Sequence, residues 1–120
     1  MRLVVYIDVD DTLVRSAGTK TMPVPSMVEH VKALASSGAE LYCWSTVGAE
    51  YARETARRLG LEQSFVGFLP KPHIVIDDQE LHMWKKFEVL HPLEASGKSV
   101  DEYWKLVKGD EKTSGENSIT

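Results

Sequence analysis

The chain has one cysteine, Cys43. No intrachain disulfide can form, and the thiol lies inside an apolar run, which points to a buried structural group rather than a reactive one. No stretch approaches the roughly 18 consecutive apolar residues that a membrane-crossing helix needs. The apolar run near the N-terminus, Leu3 to Ile7, is too short for a signal peptide and ends in acids. The expectation is a cytoplasmic protein with no membrane partner. Basic residues are outnumbered, 14 Lys and Arg against 18 Asp and Glu, for a formal net charge of -4. General nucleic-acid binding draws on a basic face, and this balance gives it no support. Arg53, Arg57 and Arg58 share one helix and read as a solvated face. The four histidines, His30, His73, His82 and His91, show no ligand spacing, so no Cys/His cluster offers a zinc site.

What is present is ordinary in bulk and specific in pattern. At 120 residues, with 42% hydrophobic and 27% charged, the chain suits one globular domain. That domain is expected over residues 1–108, followed by a polar tail from 109 to 120 that resists ordering. Leu3 to Ile7 reads as a strand buried on both faces. Ser26 with Glu29 forms a capping-box pattern before a helix to about Ser36, and Gly38 supplies its stop. Leu41 to Trp44 reads as a second strand, ending at Ser45-Thr46. A helix from Ala49 to Leu59 follows, closed by Gly60. Phe65 to Leu69, His73 to Ile76 and Lys86 to Leu90 read as further strands. Ser99 with Glu102 opens a last helix to about Val107. Short apolar strands alternating with amphipathic helices imply βαβ units and a central parallel sheet. The strand ending at Asp8 is expected between those ending at Ser45 and Asp77.

The reactive residue types fall at the carboxyl ends of the expected strands, where open α/β sheets bind ligands. Strand one ends in Asp8-Val9-Asp10-Asp11-Thr12. Asp8 and Asp10 are two apart, which places both side chains on one side of an extended segment. If the strands are parallel, Asp77 and Asp78 join them at one edge. Carboxylates held so close repel one another, and a hard divalent cation relieves the repulsion. An all-oxygen ligand set favours Mg²⁺. Lys71, with the hydroxyls of Ser45 and Thr46, adds what a bare metal site does not need: a cation and donors for the oxygens of a transferring phosphoryl group.

In these segments and their order the chain resembles the haloacid dehalogenase superfamily of phosphatases. Asp8-Val9-Asp10-Asp11-Thr12 after an apolar strand is similar to the family's DxDxT motif. Ser45, Lys71 and Asp77-Asp78 are similar to its second, third and fourth motifs. The likeness spans about Leu3 to Asp78. It implies a three-layer, Rossmann-like α/β domain and a Mg²⁺-dependent phosphomonoesterase. Asp8 would be the nucleophile that forms an aspartyl-phosphate. Asp10 would be the general acid and then base. Ser45 or Thr46, with Lys71, would bind phosphate. Mg²⁺ would be held by Asp8, the main-chain carbonyl of Asp10, and the pair Asp77 and Asp78, with Asp78 favoured as the direct ligand. Thr12 would help set the turn. Too few residues lie between Thr12 and Ser26, or between Gly60 and Lys71, for a cap domain. The implied site is therefore open to a large phosphorylated partner, such as a macromolecular end. It would suit a small molecule if a second copy of the chain covered it. Two other readings use the same residue types. A phospho-accepting receiver places its acidic pair on the first strand and its lysine last, an order this chain does not keep. A metal- or phosphate-binding domain without turnover has no need of the second acid, Asp10.

Overall fold

The computed structural model describes residues 1–117, with side chains described through residue 108. The chain divides into two compact units, Met1–His73 and Ile74–Thr120, where the sequence pattern suggested a single boundary after residue 108.

The first unit is α/β. Its elements are β1 (Val4–Asp8), β2 (Val14–Ala17), β3 (Lys20–Pro23), α1 (Pro25–Ser36), β4 (Glu40–Ser45), α2 (Ala49–Arg58) and β5 (Gly67–Pro70), with one turn of 3₁₀ helix at Glu62–Ser64. Strands β1, β4 and β5 form a parallel sheet in the order β1-β4-β5, flanked by helices. Both connections are crossovers through a helix, as parallel neighbours require. Along β4 burial alternates. Leu41, Cys43 and Ser45 are buried, and Tyr42 and Trp44 are half-buried. Helix α2 packs against β4 and β5, and α1 against β4. On the alternate residues the rings of Tyr6, Tyr42 and Trp44 pack on one another, with centroids 5.1 and 4.9 Å apart.

Two expectations about the sheet are corrected. The central strand is β4, and β1 lies at the edge with Val4 and Tyr6 half-exposed. It is not a strand buried on both faces. The expected strands at His73–Ile76 and Lys86–Leu90 do not form. Ile74, Val75 and Ile76 are apolar and β-branched, but all three are exposed, Ile76 at 95%. β-propensity measures fit to a packed, half-buried surface, and without ladder partners it specifies nothing.

The stretch after the first acids is also not a plain loop. β2 and β3 pair as an antiparallel hairpin, with Ala17 opposite Lys20. The two-residue connection starts with Gly18 at φ 65, the position that a type II′ turn gives to glycine. At the start of α1, Pro25 occupies the first turn and Val24 is the N-cap, without a side-chain cap bond. The capping box expected from Ser26 and Glu29 is therefore absent. Proline at the first helical position, with its φ already set and no N–H to satisfy, starts the helix two residues earlier.

The second unit contains a 3₁₀ turn at Leu81–Met83, α3 (Pro92–Ala95) and α4 (Val100–Asn117). Both helices begin with capping boxes. His91 Nδ1 accepts from the Leu93 N–H while Glu94 accepts from the His91 N–H, each at 3.1 Å. Ser99 Oγ accepts from the Glu102 N–H at 3.1 Å and Glu102 accepts from the Ser99 N–H at 3.0 Å, as the sequence pattern indicated. α4 runs past the expected end at Val107, into the segment taken as a tail; residues 118–120 lie outside the described residues. Among the described residues, no helix is long and apolar enough to cross a membrane.

Candidate functional site

Parallel strands put their carboxyl ends on one edge of a sheet. Asp8 closes β1 and Ser45 closes β4, and β5 runs into Lys71, whose backbone N–H donates to the Ser45 carbonyl at 2.9 Å. Three separated segments are thus joined by ladder bonds at one edge. The side chains follow. Lys71 Nζ lies 3.1 Å from Asp8 Oδ1, and the Thr12 hydroxyl is placed to donate to Asp8 Oδ2 at 3.4 Å. Each side chain of the ion pair is about one-third exposed, Lys71 at 31% and Asp8 at 33%. Lys71 Nζ also stands 5.8 Å from the centre of the Trp44 ring, within cation–π range.

The turn after β1 is tight and closed by its own backbone. Val9, fully buried, accepts at its carbonyl from the N–H groups of Thr12, Leu13 and Val14, and the Asp11 N–H donates to Val14 O at 2.7 Å. Asp11 pays for the turn with φ 60 and is exposed. It is the only described non-glycine residue in the left-handed region, which an aspartate tolerates better than most. Val9 is anchored inward while Asp8 and Asp10 remain accessible. Asp10 is exposed, and its Oδ1 accepts from the Tyr51 hydroxyl at 2.7 Å.

Ser45 is almost fully buried, and its Oγ accepts from the Val47 N–H at 3.0 Å. Thr46 is exposed. The chain then turns through Gly48, at φ 138, into α2, so the first turn of α2 starts beside the strand ends. Glycine is needed there because side chains rarely adopt that backbone conformation. Cys43, two residues before Ser45 on the same face of β4, is free and buried. Burial, and then the charge of Asp8, push its thiol up to about 12, so it holds its proton and is inert.

Asp77 and Asp78 belong to the second unit and are both exposed; Asp77 Oδ1 accepts from the Gln79 N–H at 2.9 Å. They do not close a strand. Among the described residues, no three His, Cys, Asp or Glu side chains gather as an all-protein metal cage would require. Magnesium does not demand one, since it keeps several waters and is held by one or two carboxylates together with substrate phosphates. The Asp8 carboxylate and the main-chain carbonyl of Asp10 are hard oxygen donors of that kind.

Tyr51 is a neighbour of Asp10 that the sequence did not reveal. It stands 41 positions from its partner, and a tyrosine in the first turn of an amphipathic helix carries no chemical signature. Two concavities of about 240 and 200 Å³ lie beside the β2–β3 hairpin, lined by residues such as Arg15, Met22, Pro23 and Arg58, and include neither Asp8 nor Lys71. Comparison with known proteins returns nothing that identifies this arrangement: no protein-family model, no curated protein and no solved structure matches the chain.

Proposed function

We propose that the chain is a Mg²⁺-dependent phosphomonoesterase of the haloacid dehalogenase type, with a three-layer domain and no cap, working through an aspartyl-phosphate on Asp8. The observation that carries the reading is the pairing of Asp8 with Lys71. A carboxylate at a strand end, accessible and hydrogen-bonded by Thr12, faces a lysine from two strands away at 3.1 Å. A nucleophile for phosphorus and a cation for its oxygens are the two groups that phosphoryl transfer needs closest together.

In the reaction, an Asp8 oxygen attacks phosphorus and the bond to the leaving oxygen breaks. Asp10, protonated, gives its proton to that oxygen. A water then attacks the phosphorus of the aspartyl-phosphate, Asp10 takes a proton from it, and inorganic phosphate leaves with Asp8 restored. Lys71 compensates charge on the phosphoryl oxygens, released from Asp8 as Asp8 gives its own charge to the new bond. Ser45 orients the turn before α2 through its bond to Val47, and the exposed Thr46 is the hydroxyl free to meet the phosphate. The Asp8 carboxylate and the main-chain carbonyl of Asp10 would hold Mg²⁺, which supplies neutralisation of charge on the phosphoryl group. Asp77 and Asp78 stand in the proposal on motif order alone.

The openness of Asp8 and Asp10 suits a phosphate presented at the end of a large molecule. Self-association over this edge would suit a small one. The experiment is a panel of nucleotides, sugar phosphates and phosphorylated polymer ends, assayed for phosphate release with and without Mg²⁺. Release is expected to require the metal and to vanish in Asp8→Asn. Equal release by the Asp8→Asn protein sinks the proposal. Stable labelling of Asp8 without turnover would point to a receiver, and neither labelling nor turnover to a binding domain.

A further inference from the structure

Asp10 is exposed, yet one of its oxygens is held. A carboxylate serving as acid and then base must offer a defined oxygen to the reacting group, and a freely rotating surface aspartate does not. The Tyr51 hydroxyl donates to Oδ1 at 2.7 Å, and no described hydrogen bond reaches Oδ2. Behind Tyr51 the polar groups of α2 line up one helical turn apart, at 51, 55 and 58. Arg58 Nη2 reaches Thr55 Oγ1 only at 3.5 Å, and the one described hydrogen bond of the Tyr51 hydroxyl is the one to Asp10. Thr55 is 1% exposed, so its hydroxyl is a fixed part of the helix packing rather than a solvent group.

A carboxylate can only accept, so the Tyr51 hydroxyl is the donor in its bond to Asp10.

We propose that Tyr51 is a positioning residue for Asp10, holding Oδ1 and thereby leaving Oδ2 as the oxygen that carries the transferable proton. The inference rests on the phosphomonoesterase reading, because only there does Asp10 hand over a proton. It adds a group that no motif assigns. When Asp10 is protonated, Tyr51 continues to donate to Oδ1, so the proton resides on Oδ2. When Asp10 acts on water, the same oxygen receives the proton back. Tyr51 touches neither substrate nor leaving group, and its effect passes entirely through Asp10.

The test is Tyr51→Phe, which keeps the ring and removes one hydroxyl, assayed on phosphate monoesters with leaving groups ranging from nitrophenol to simple alcohols. For alkyl esters kcat should fall by about 10- to 100-fold, within the range of general-acid contributions. For nitrophenyl phosphate it should fall by under about 3-fold, since that group departs without a proton, and KM should hardly move. In an Asp10→Asn background, Tyr51→Phe should add nothing further, because the two act as one unit. A loss equal for all leaving groups, or a loss that persists in the Asp10→Asn background, overturns the positioning role. If the unaltered protein cleaves none of the esters, the phosphomonoesterase reading fails and the inference with it. If it cleaves them with a flat Tyr51→Phe effect, the inference alone fails.

Discussion

Replacing Lys71 by methionine separates a catalytic lysine from a structural one. The pair it forms with Asp8 has its charges 3.1 Å apart, and both side chains are about one-third exposed. At the dielectric of water, charges at that distance attract by about 1.3 kcal/mol. Holding a long side chain in one geometry takes back part of this, and exposed pairs net about 0–1 kcal/mol. Methionine keeps most of the aliphatic stem, so stability should fall by no more than about 1 kcal/mol, a Tm change of about 5 °C or less. The chemical step should respond very differently. A preorganised charge facing the phosphoryl oxygens is worth about 10²- to 10³-fold in kcat when removed. The assay is a thermal melt and a steady-state rate on the same preparation, with arginine as the control that keeps the charge but alters its shape. A melt that collapses in Lys71→Met would make the lysine a structural element. A rate that is unchanged would remove it from the phosphate site.

Other expectations follow from single features. Asp11, at φ 60, should tolerate asparagine or glycine with little change. Asp11→Val should lower stability by about 1–2 kcal/mol, read from urea unfolding; an equal cost for all three would mean the strain is not backbone strain. His30 is buried on α1, and burial lowers its pKa from 6.5. The folded state therefore prefers the neutral ring, and the unfolded state binds more protons just below pH 6.5. Stability should be fully present above that pH and should fall on acidification, by at most about 1.4 kcal/mol per pH unit from this group. His30→Gln should flatten the slope of Tm between pH 6.5 and 5, and an unaltered slope would show that His30 does not set it.

The residues that carried the sequence reading well were those whose neighbours in the chain are also their neighbours in space. Leu41, Cys43 and the turn at Gly60 lie inside continuous apolar or periodic runs, and β4 and α2 came out within a residue or two of their expected bounds. Ser99 and Glu102 are three apart and form the cap their spacing announces. The hairpin was hidden because Arg15 to Pro23 is exposed throughout and so has no apolar alternation to display. Only Gly18-Thr19 marks its turn. Ile74 to Ile76 misled for the opposite reason, since apolar β-branched composition is common to strands and to segments that lack a ladder. Composition also could not order the sheet. Whether β1 or β4 is central depends on which backbone edges find partners, and Tyr6 on β1 looks as buried in sequence as Tyr42 on β4. Of the residues expected at a site, Asp8, Thr12 and Lys71 come together, and the edge geometry explains their nearness. Tyr51 was not legible, because its link to Asp10 is a single hydrogen bond across 41 positions.

The central claim is covalent chemistry at Asp8, and one rapid-quench experiment addresses it directly. The protein, with Mg²⁺ and a radiolabelled ester it turns over, is stopped in acid within milliseconds and digested, and the label is located by mass spectrometry. The account predicts label on Asp8, formed before free phosphate appears and absent in Asp8→Asn. Full turnover with no trappable adduct, and inversion of configuration at phosphorus, would show direct transfer to water and contradict it.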